Sequence, residues 1–228
     1  MSSAPLFSDR TDAGEKLAQV LLSLITEQEA TTGVVVSPIV YALPRGGIPV
    51  AAPVARRLNC PLDIVVAKKI TTPQNPELAM GAVTSEGNVL WSRQRVLVKG
   101  NSNWRETALR QAQEKAETQL DQLSIGCPKI NPHGKLALLV DDGIATGMTI
   151  AAASQALRTH YPAAVWICAP VAPEGLMDWI SQWCDRLVVL HTPDLFLSVS
   201  RFYTTFPQVK TEEALLYLQQ HNNLPHSR

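Results

Sequence analysis

Strand-like and helix-like apolar patterns alternate along the chain. Residues 12–26 place Leu17, Val20, Leu21 and Leu24 at helical spacing, so an amphipathic helix is expected there. Residues 34–43 contain an apolar strand that runs into Pro44-Arg45-Gly46-Gly47. A helix over 48–58 and a strand over 62–67 follow, the strand leading to Lys68-Lys69. Residues 71–79 hold two prolines and no apolar period, which predicts a loop. A hairpin is expected over 82–90, turning at Glu86-Gly87-Asn88. Asn103 and Glu106 have the spacing of a capping pair for a helix running to about Leu123.

Leu136-Ala137-Leu138-Leu139-Val140 reads as a buried strand, and an Ala-rich helical stretch lies over 151–158. A strand over 164–169, a helix over 174–183 and a strand over 186–190 complete the pattern. Alternation of this kind predicts an α/β fold, with a largely parallel sheet flanked by helices. In such sheets ligands bind beyond the carboxyl ends of the strands, where loops meet helix N-termini. The segments that begin at Pro44, Lys68 and Asp141 are all expected at such ends.

Composition narrows the class. At 228 residues the chain fits one domain, since domains run to about 100–200 residues. With 46% hydrophobic residues it can bury a real core. The 20 basic and 20 acidic residues cancel, so there is no surplus of positive charge to drive nucleic-acid binding. The sequence starts Met1-Ser2-Ser3-Ala4-Pro5, without a basic segment leading into an apolar one, and no apolar run is long enough to span a bilayer. Cys60, Cys127, Cys168 and Cys184 are scattered, without metal-ligand spacing, and are read as reduced. The expectation is a cytoplasmic protein with no nucleic-acid and no membrane partner.

The densest chemistry lies at Val140-Asp141-Asp142-Gly143-Ile144-Ala145-Thr146-Gly147-Met148-Thr149. A helix N-terminus leaves backbone N–H groups unpaired and carries partial positive charge, which suits a phosphate. Gly147 lets the backbone come close to that phosphate, and Thr146 and Thr149 add hydroxyl donors. Ionised Asp141 and Asp142 only accept hydrogen bonds, so they suit two ribose hydroxyls or a magnesium ion. Asp-Asp-Gly alone is an ordinary turn, and Asp or Thr before a helix is an ordinary cap. A cap needs one acceptor, however, not two adjacent carboxylates followed by a Thr-Gly-x-Thr loop. Upstream, Gly46 and Gly47 would let the backbone wrap an anion that Arg45 binds bidentately. The plainer reading there is a glycine turn with a solvated arginine. Strict strand alternation would send only one of Lys68 and Lys69 toward a site, and a solvated basic pair is the plainer alternative.

These residues together resemble the type I phosphoribosyltransferases. The ten residues from Val140 resemble that family's signature for 5-phosphoribosyl-1-pyrophosphate (PRPP). Leu43-Pro44-Arg45-Gly46-Gly47, Lys68-Lys69, Asn75-Pro76-Glu77-Leu78-Ala79-Met80-Gly81-Ala82 and residues 193–208 resemble a little-characterised bacterial subgroup of it. The resemblance covers residues 43–208. It implies a single phosphoribosyltransferase-like domain over 1–228, with a small hood formed in part by 193–208. It also implies that Asp141 and Asp142 hold the ribose hydroxyls. Gly143 and Ile144 would begin the substrate-binding loop, and Ala145, Thr146, Gly147, Met148 and Thr149 would hold the 5'-phosphate. The loop with Arg45, Gly46 and Gly47 would hold the pyrophosphate, often with a cis peptide in this family, and Lys68 or Lys69 would add cations. Residues 71–79 would close over the reacting centre, with no catalytic role given to Glu77. Pro170-Val171-Ala172-Pro173 would lie near the base.

The reaction so implied passes the phosphoribosyl group from Mg-PRPP to a purine, pyrimidine or related base and releases pyrophosphate, through a transition state of oxocarbenium character. Asp141, Asp142, Arg45 and Lys69 are the expected catalytic residues and Mg²⁺ the expected cofactor. A homodimer is the family habit. Phe196, Phe202, Tyr203 and Phe206 could reach a base, whereas Trp166, Trp179 and Trp183 are expected in the core. Hypoxanthine-guanine members carry Asp where this chain has Ala145, so it looks more like the adenine or orotate pattern. A different class, a PRPP-sensing regulatory protein without turnover, would keep the ten residues. The presence of Arg45 and the lysine pair favours the enzyme. Asp142→Asn is expected to lower turnover or PRPP affinity without unfolding the chain. Phosphate-loop NTPase, dinucleotide-binding, nucleophile-elbow and zinc-protease motifs are missing. Residues 1–32 and those after Gln208 match no motif.

Overall fold

The computed structural model describes residues 5–72, 75–92, 104–128 and 130–223, with only the backbone of 75–78. Its elements are α1 (Arg10–Thr32), β1 (Pro38–Ala42), α2 (Gly47–Leu58), β2 (Leu62–Ile64), β3 (Ala67–Thr72), β4 (Asn75–Thr84) and β5 (Val89–Trp91). They continue with α3 (Trp104–Leu123), β6 (Leu136–Val140), α4 (Met148–Arg158), β7 (Ala164–Val171), α5 (Met177–Ser181), β8 (Arg186–His191) and α6 (Thr211–Asn222).

Five strands form a parallel sheet in the order β2-β1-β6-β7-β8. Alternate residues of its central strands face opposite ways. Val40, Ala42, Leu138, Val140, Trp166 and Cys168 join an apolar layer with α1, α2 and α6. Ile39, Tyr41, Ala137, Leu139, Val165 and Ile167 join a second layer with α4 and Ile180 of α5. Both faces are covered, which is why these strands read as unbroken apolar runs. β1 and β6 lie side by side, with Ala42 opposite Val140. From β1 the chain crosses to β2 on one side, and from β6 it crosses to β7 on the other. The carboxyl ends of β1 and β6 therefore border the crevice where strand order reverses, the usual ligand position in such sheets.

α1 is longer than the helix expected over 12–26. Asp9 caps its start by accepting the Asp12 N–H at 2.9 Å, and Gly33 ends it in the left-handed conformation. Its buried stripe includes Ala13, Gly14, Leu17, Ala18, Leu21 and Ile25. Val20 is 38% exposed and does not belong to the stripe. Small residues take the contact instead because α1 and α2 lie close together. A Cβ on Gly14 would sit 2.4 Å from the Val50 carbonyl oxygen.

Three other expectations are corrected. The strand over 62–67 is two strands, β2 and β3, in different sheets. The described residues within 71–79 are paired strand instead of loop, with Thr71 opposite Ala79 and Thr72 opposite Asn75. Register shifts interrupt that ladder, and a bulged ladder accommodates Pro76, which has no N–H to donate. The helix over 174–183 is a 3-10 turn at Glu174–Leu176 followed by the short α5. Gly175, a poor helix former, lies in that turn. Asn103 of the expected capping pair lies outside the described residues, while α3 ends at Leu123 as expected.

β3, β4 and β5 form a separate antiparallel sheet. Its β4–β5 arm is the hairpin expected over 82–90, with Ala82 opposite Leu90 and Val83 opposite Val89. Ile70 and Val83 pack on Ala112 of α3, while Ala82 packs on Met148 and Ala152 of α4. The small sheet is thus wedged between these two helices. No helix among the described residues is long and apolar enough to cross a membrane. All four cysteines are free.

Candidate functional site

The pairing of β1 with β6 brings Pro44-Arg45-Gly46-Gly47 against Asp141 and Asp142. The acids themselves require the two glycines. A Cβ on Gly46 would lie 2.1 Å from Asp142 Oδ2. One on Gly47 would lie 2.7 Å from the Val140 carbonyl oxygen and 3.3 Å from Asp141 Oδ1. The sequence suggests glycines wrapped around an anion, but in the fold they first let the carboxylate pair pack against this loop. The Pro44–Arg45 peptide bond is cis. Arg45 Nη1 donates to Thr211 Oγ1 at 2.9 Å, so α6 anchors the loop's cation.

After Asp142 the chain turns into α4 through Gly147, whose φ of 74° is left-handed. A side chain there would be strained, and its Cβ would meet the Trp179 ring at 2.5 Å. The first N–H groups of α4 have no partner within the helix. This helix start borders a pocket of about 130 Å³, lined by Lys69, Asp141, Thr149 and residues 143–147. Two expected binding residues turn inward. Ile144 is 2% exposed and its N–H donates to the Val171 carbonyl at 2.9 Å, while Met148 packs on Ala82 and Ala152. Their side chains serve the core. Ala145 and Thr146 are exposed.

A second lobe of about 360 Å³ is lined in part by Arg10, Arg45, Gly46, Lys68, Asp141 and Asp142. Asp141 borders both lobes. Lys68 and Lys69 open β3 instead of ending a parallel strand. They do alternate, yet both reach the crevice, because the small sheet is wedged into its side. Lys68, on the Ile70 face toward α3, enters the lobe with Arg45, and Lys69 enters the lobe beside α4.

Charge is unbalanced in both directions here. Burial, and then the neighbouring charge of Asp142, hold the Asp141 carboxyl well above the ordinary carboxylate range. Burial also raises Asp142, while Arg10 opposes the rise. Lys68 is pushed down by burial and then by Arg45 and Lys115. A ligand bearing anionic groups would relieve the cations, and hydroxyls or a cation would relieve the acids.

Sequence reading missed Arg10. Its Nε donates to Asp142 Oδ2 at 2.8 Å, its Nη1 donates to the Pro207 carbonyl at 2.7 Å, and its guanidinium lies 3.6 Å from the Phe206 ring centroid. The one available signal was electrostatic. Arg10 is the first residue of α1, where the helix dipole disfavours a cation, so its charge needs another reason. Tyr203 also acts on the acidic pair, donating its hydroxyl to the Asp142 carbonyl at 2.6 Å. Phe206 packs on Tyr203 and on Arg10, and Val199 sits against Gly143, whose Cβ would lie 2.5 Å from Val199 Cγ1. Trp166 is buried in the core as expected. Trp179 and Trp183 are partly buried on the α4 side, where the Ser154 hydroxyl donates to the Trp183 carbonyl.

Among the described residues, no group of three or more His, Cys, Asp or Glu side chains is placed to hold a metal alone. Asp141 and Asp142 do offer paired carboxylate oxygens beside the lobes. That donor set suits Mg²⁺, which is commonly held by one or two carboxylates together with a ligand's phosphates.

Fold and crevice together define an α/β protein whose strand-end site is suited to a phosphorylated ligand. A family model described as the phosphoribosyl transferase domain matches residues 13–189, and the chain belongs to that family. Two proteins of Mycobacterium tuberculosis, from strains CDC 1551 and H37Rv, carry the description "putative phosphoribosyl transferase". Each is 35% identical over 218 residues, covering 94% of this chain and 47% of its own length. The chain thus spans about half the length of these curated relatives. The crystal structure of TT1426 from Thermus thermophilus is similar at a TM-score of 0.72 and 32% identity, covering 94% of this chain and 98% of that one.

Proposed function

We propose that the protein transfers the 5-phosphoribosyl group of Mg-PRPP to a nitrogenous base and releases pyrophosphate. The observation that carries this reading is the position of Asp141 between two lobes. One is a helix start suited to a monophosphate, and the other offers Arg45 and Lys68 to a second anion, Arg10 there being paired with Asp142. A ribose seated on the acids would send its 5'-phosphate into the first lobe and its pyrophosphate into the second. Membership of the phosphoribosyltransferase family supports this reading.

In this mechanism Asp141 and Asp142 accept the ribose hydroxyls and fix the anomeric carbon. Arg45 and Lys68 stabilise the charge that develops on the departing pyrophosphate. Lys69 balances the 5'-phosphate beside the N–H groups of α4. Mg²⁺, when bound, would neutralise phosphate charge, with Asp141 and Asp142 as its protein oxygens. Ala145 is exposed and offers no proton acceptor to a base, so the proposed acceptors follow the adenine or orotate pattern more than the hypoxanthine-guanine one.

Separate calorimetric titrations with Mg-PRPP, ribose 5-phosphate and pyrophosphate test the two-lobe reading. Each fragment is expected to bind, and Mg-PRPP is expected to bind more tightly than either. If Mg-PRPP binds no better than inorganic phosphate, the reading is wrong. Tight binding with no pyrophosphate release against any base would instead mark a PRPP-sensing regulatory protein.

A further inference from the structure

We propose that Arg10 is a positioning residue for Asp142, gripping one carboxylate oxygen and leaving the other to the ligand. The proposal rests on the PRPP reading above and adds a residue from outside the family motifs.

Arg10 is only 9% exposed, although it is a cation on the first residue of a helix. Three contacts fix it from three directions, namely Asp142, the Pro207 carbonyl and the face of Phe206. Asp142 is fixed in return. Tyr203 holds its backbone carbonyl, and Gly46 packs against its side chain. Arg10 takes Oδ2, the oxygen nearest Gly46, while Oδ1 lies farther out. A carboxylate has about four acceptor sites, so one N–H from Arg10 leaves room for a ribose hydroxyl. The guanidinium orients the acid without blocking it.

Among the described residues, Arg10 forms the one salt bridge to the acidic pair. Lysine would not replace Arg10 fully. A single ammonium lacks the planar fork that reaches Asp142 and Pro207 together while lying flat on Phe206.

The test is calorimetric titration of wild type, Arg10→Ala and Arg10→Lys at one fixed pH, with Mg-PRPP and, separately, inorganic phosphate as probes. Removing Arg10 frees the Asp142 carboxylate to turn away from the ligand. Arg10→Ala should therefore weaken Mg-PRPP binding by about 10-fold or more. Arg10→Lys should show a smaller loss in the same direction. Phosphate binding at the α4 lobe should stay at the wild-type level in both. Should Arg10→Ala fail to unfold cooperatively, Arg10→Lys decides alone. Mg-PRPP affinities in the folded variants that equal wild type overturn the proposal. Equal losses for Mg-PRPP and phosphate also overturn it, because they mark a general structural role. Absence of Mg-PRPP binding in wild type removes the PRPP reading itself, and the proposal falls with it.

Discussion

Asp141 and Asp142 are neighbours in sequence with different surroundings. Asp142 is paired with Arg10, and the two side chains are 14% and 10% exposed. Removing one partner of a buried pair costs about 3–5 kcal/mol, because the other charge is stranded. Asp142→Asn, which sequence reasoning expects to spare the fold, is therefore predicted to lower stability by about that amount as well as Mg-PRPP affinity. Denaturant unfolding alongside calorimetry would show both losses. Asp141 has no salt bridge among the described residues, so Asp141→Asn is the cleaner probe. It should lose ligand affinity without losing stability. The pH dependence has a definite sign. Asp141 keeps a proton in the folded state that the unfolded chain releases near the ordinary value of 3.8. Its contribution to stability is present below that value and is lost as pH rises through the raised folded value. The urea midpoint of wild type should fall across that window relative to Asp141→Asn, and parallel curves for the two proteins would contradict the assignment. Both carboxylates were legible because they sit together in the motif. Arg10 was not, because its partner lies 132 positions away.

Among the elements, α4 bears most directly on the ligand. Its start depends on Gly147, where φ is 74° and the Trp179 ring closes off the Cβ direction. Gly147→Ala is predicted to cost about 1–2 kcal/mol for the left-handed backbone alone, with a further loss from the ring contact. Inorganic phosphate binding should weaken in the same variant, and an unchanged phosphate affinity would separate this loop from the anion. The strands of the parallel sheet were legible because burial on both faces leaves unbroken apolar runs. Of the small sheet, only the β4–β5 hairpin was. Its β3 follows β2 almost without a break, and β3 and β4 meet through register shifts that hide the strand period and admit a proline. Lys68 and Lys69 were readable as a pair, but only the wedge between α3 and α4 explains why both reach the crevice.

Across the whole molecule, the site gathers α1, the β1 and β6 ends, β3, α4, the 193–208 segment and α6. Thr211 on α6 bonds Arg45, so a segment without any motif supports the pyrophosphate side of the proposed site. A ligand that joins so many elements should stabilise the fold as a unit. At about 100 times its dissociation constant, Mg-PRPP should add about 2.7 kcal/mol to unfolding, with one cooperative transition in thermal melts. The placement of the site at strand ends follows from the alternating pattern of the sequence, although the strand order that makes the crevice does not. The convergence of residues before 32 and after 208 on it does not, because it comes from packing between distant segments.

The decisive measurement is pyrophosphate release from Mg-PRPP against a panel of purine, pyrimidine and pyridine bases, with wild type and Asp141→Asn in parallel. Release should depend on one class of base and be largely lost in the variant. Release that is absent with every base, or equal in the two proteins, would contradict a transferase built on the acidic pair.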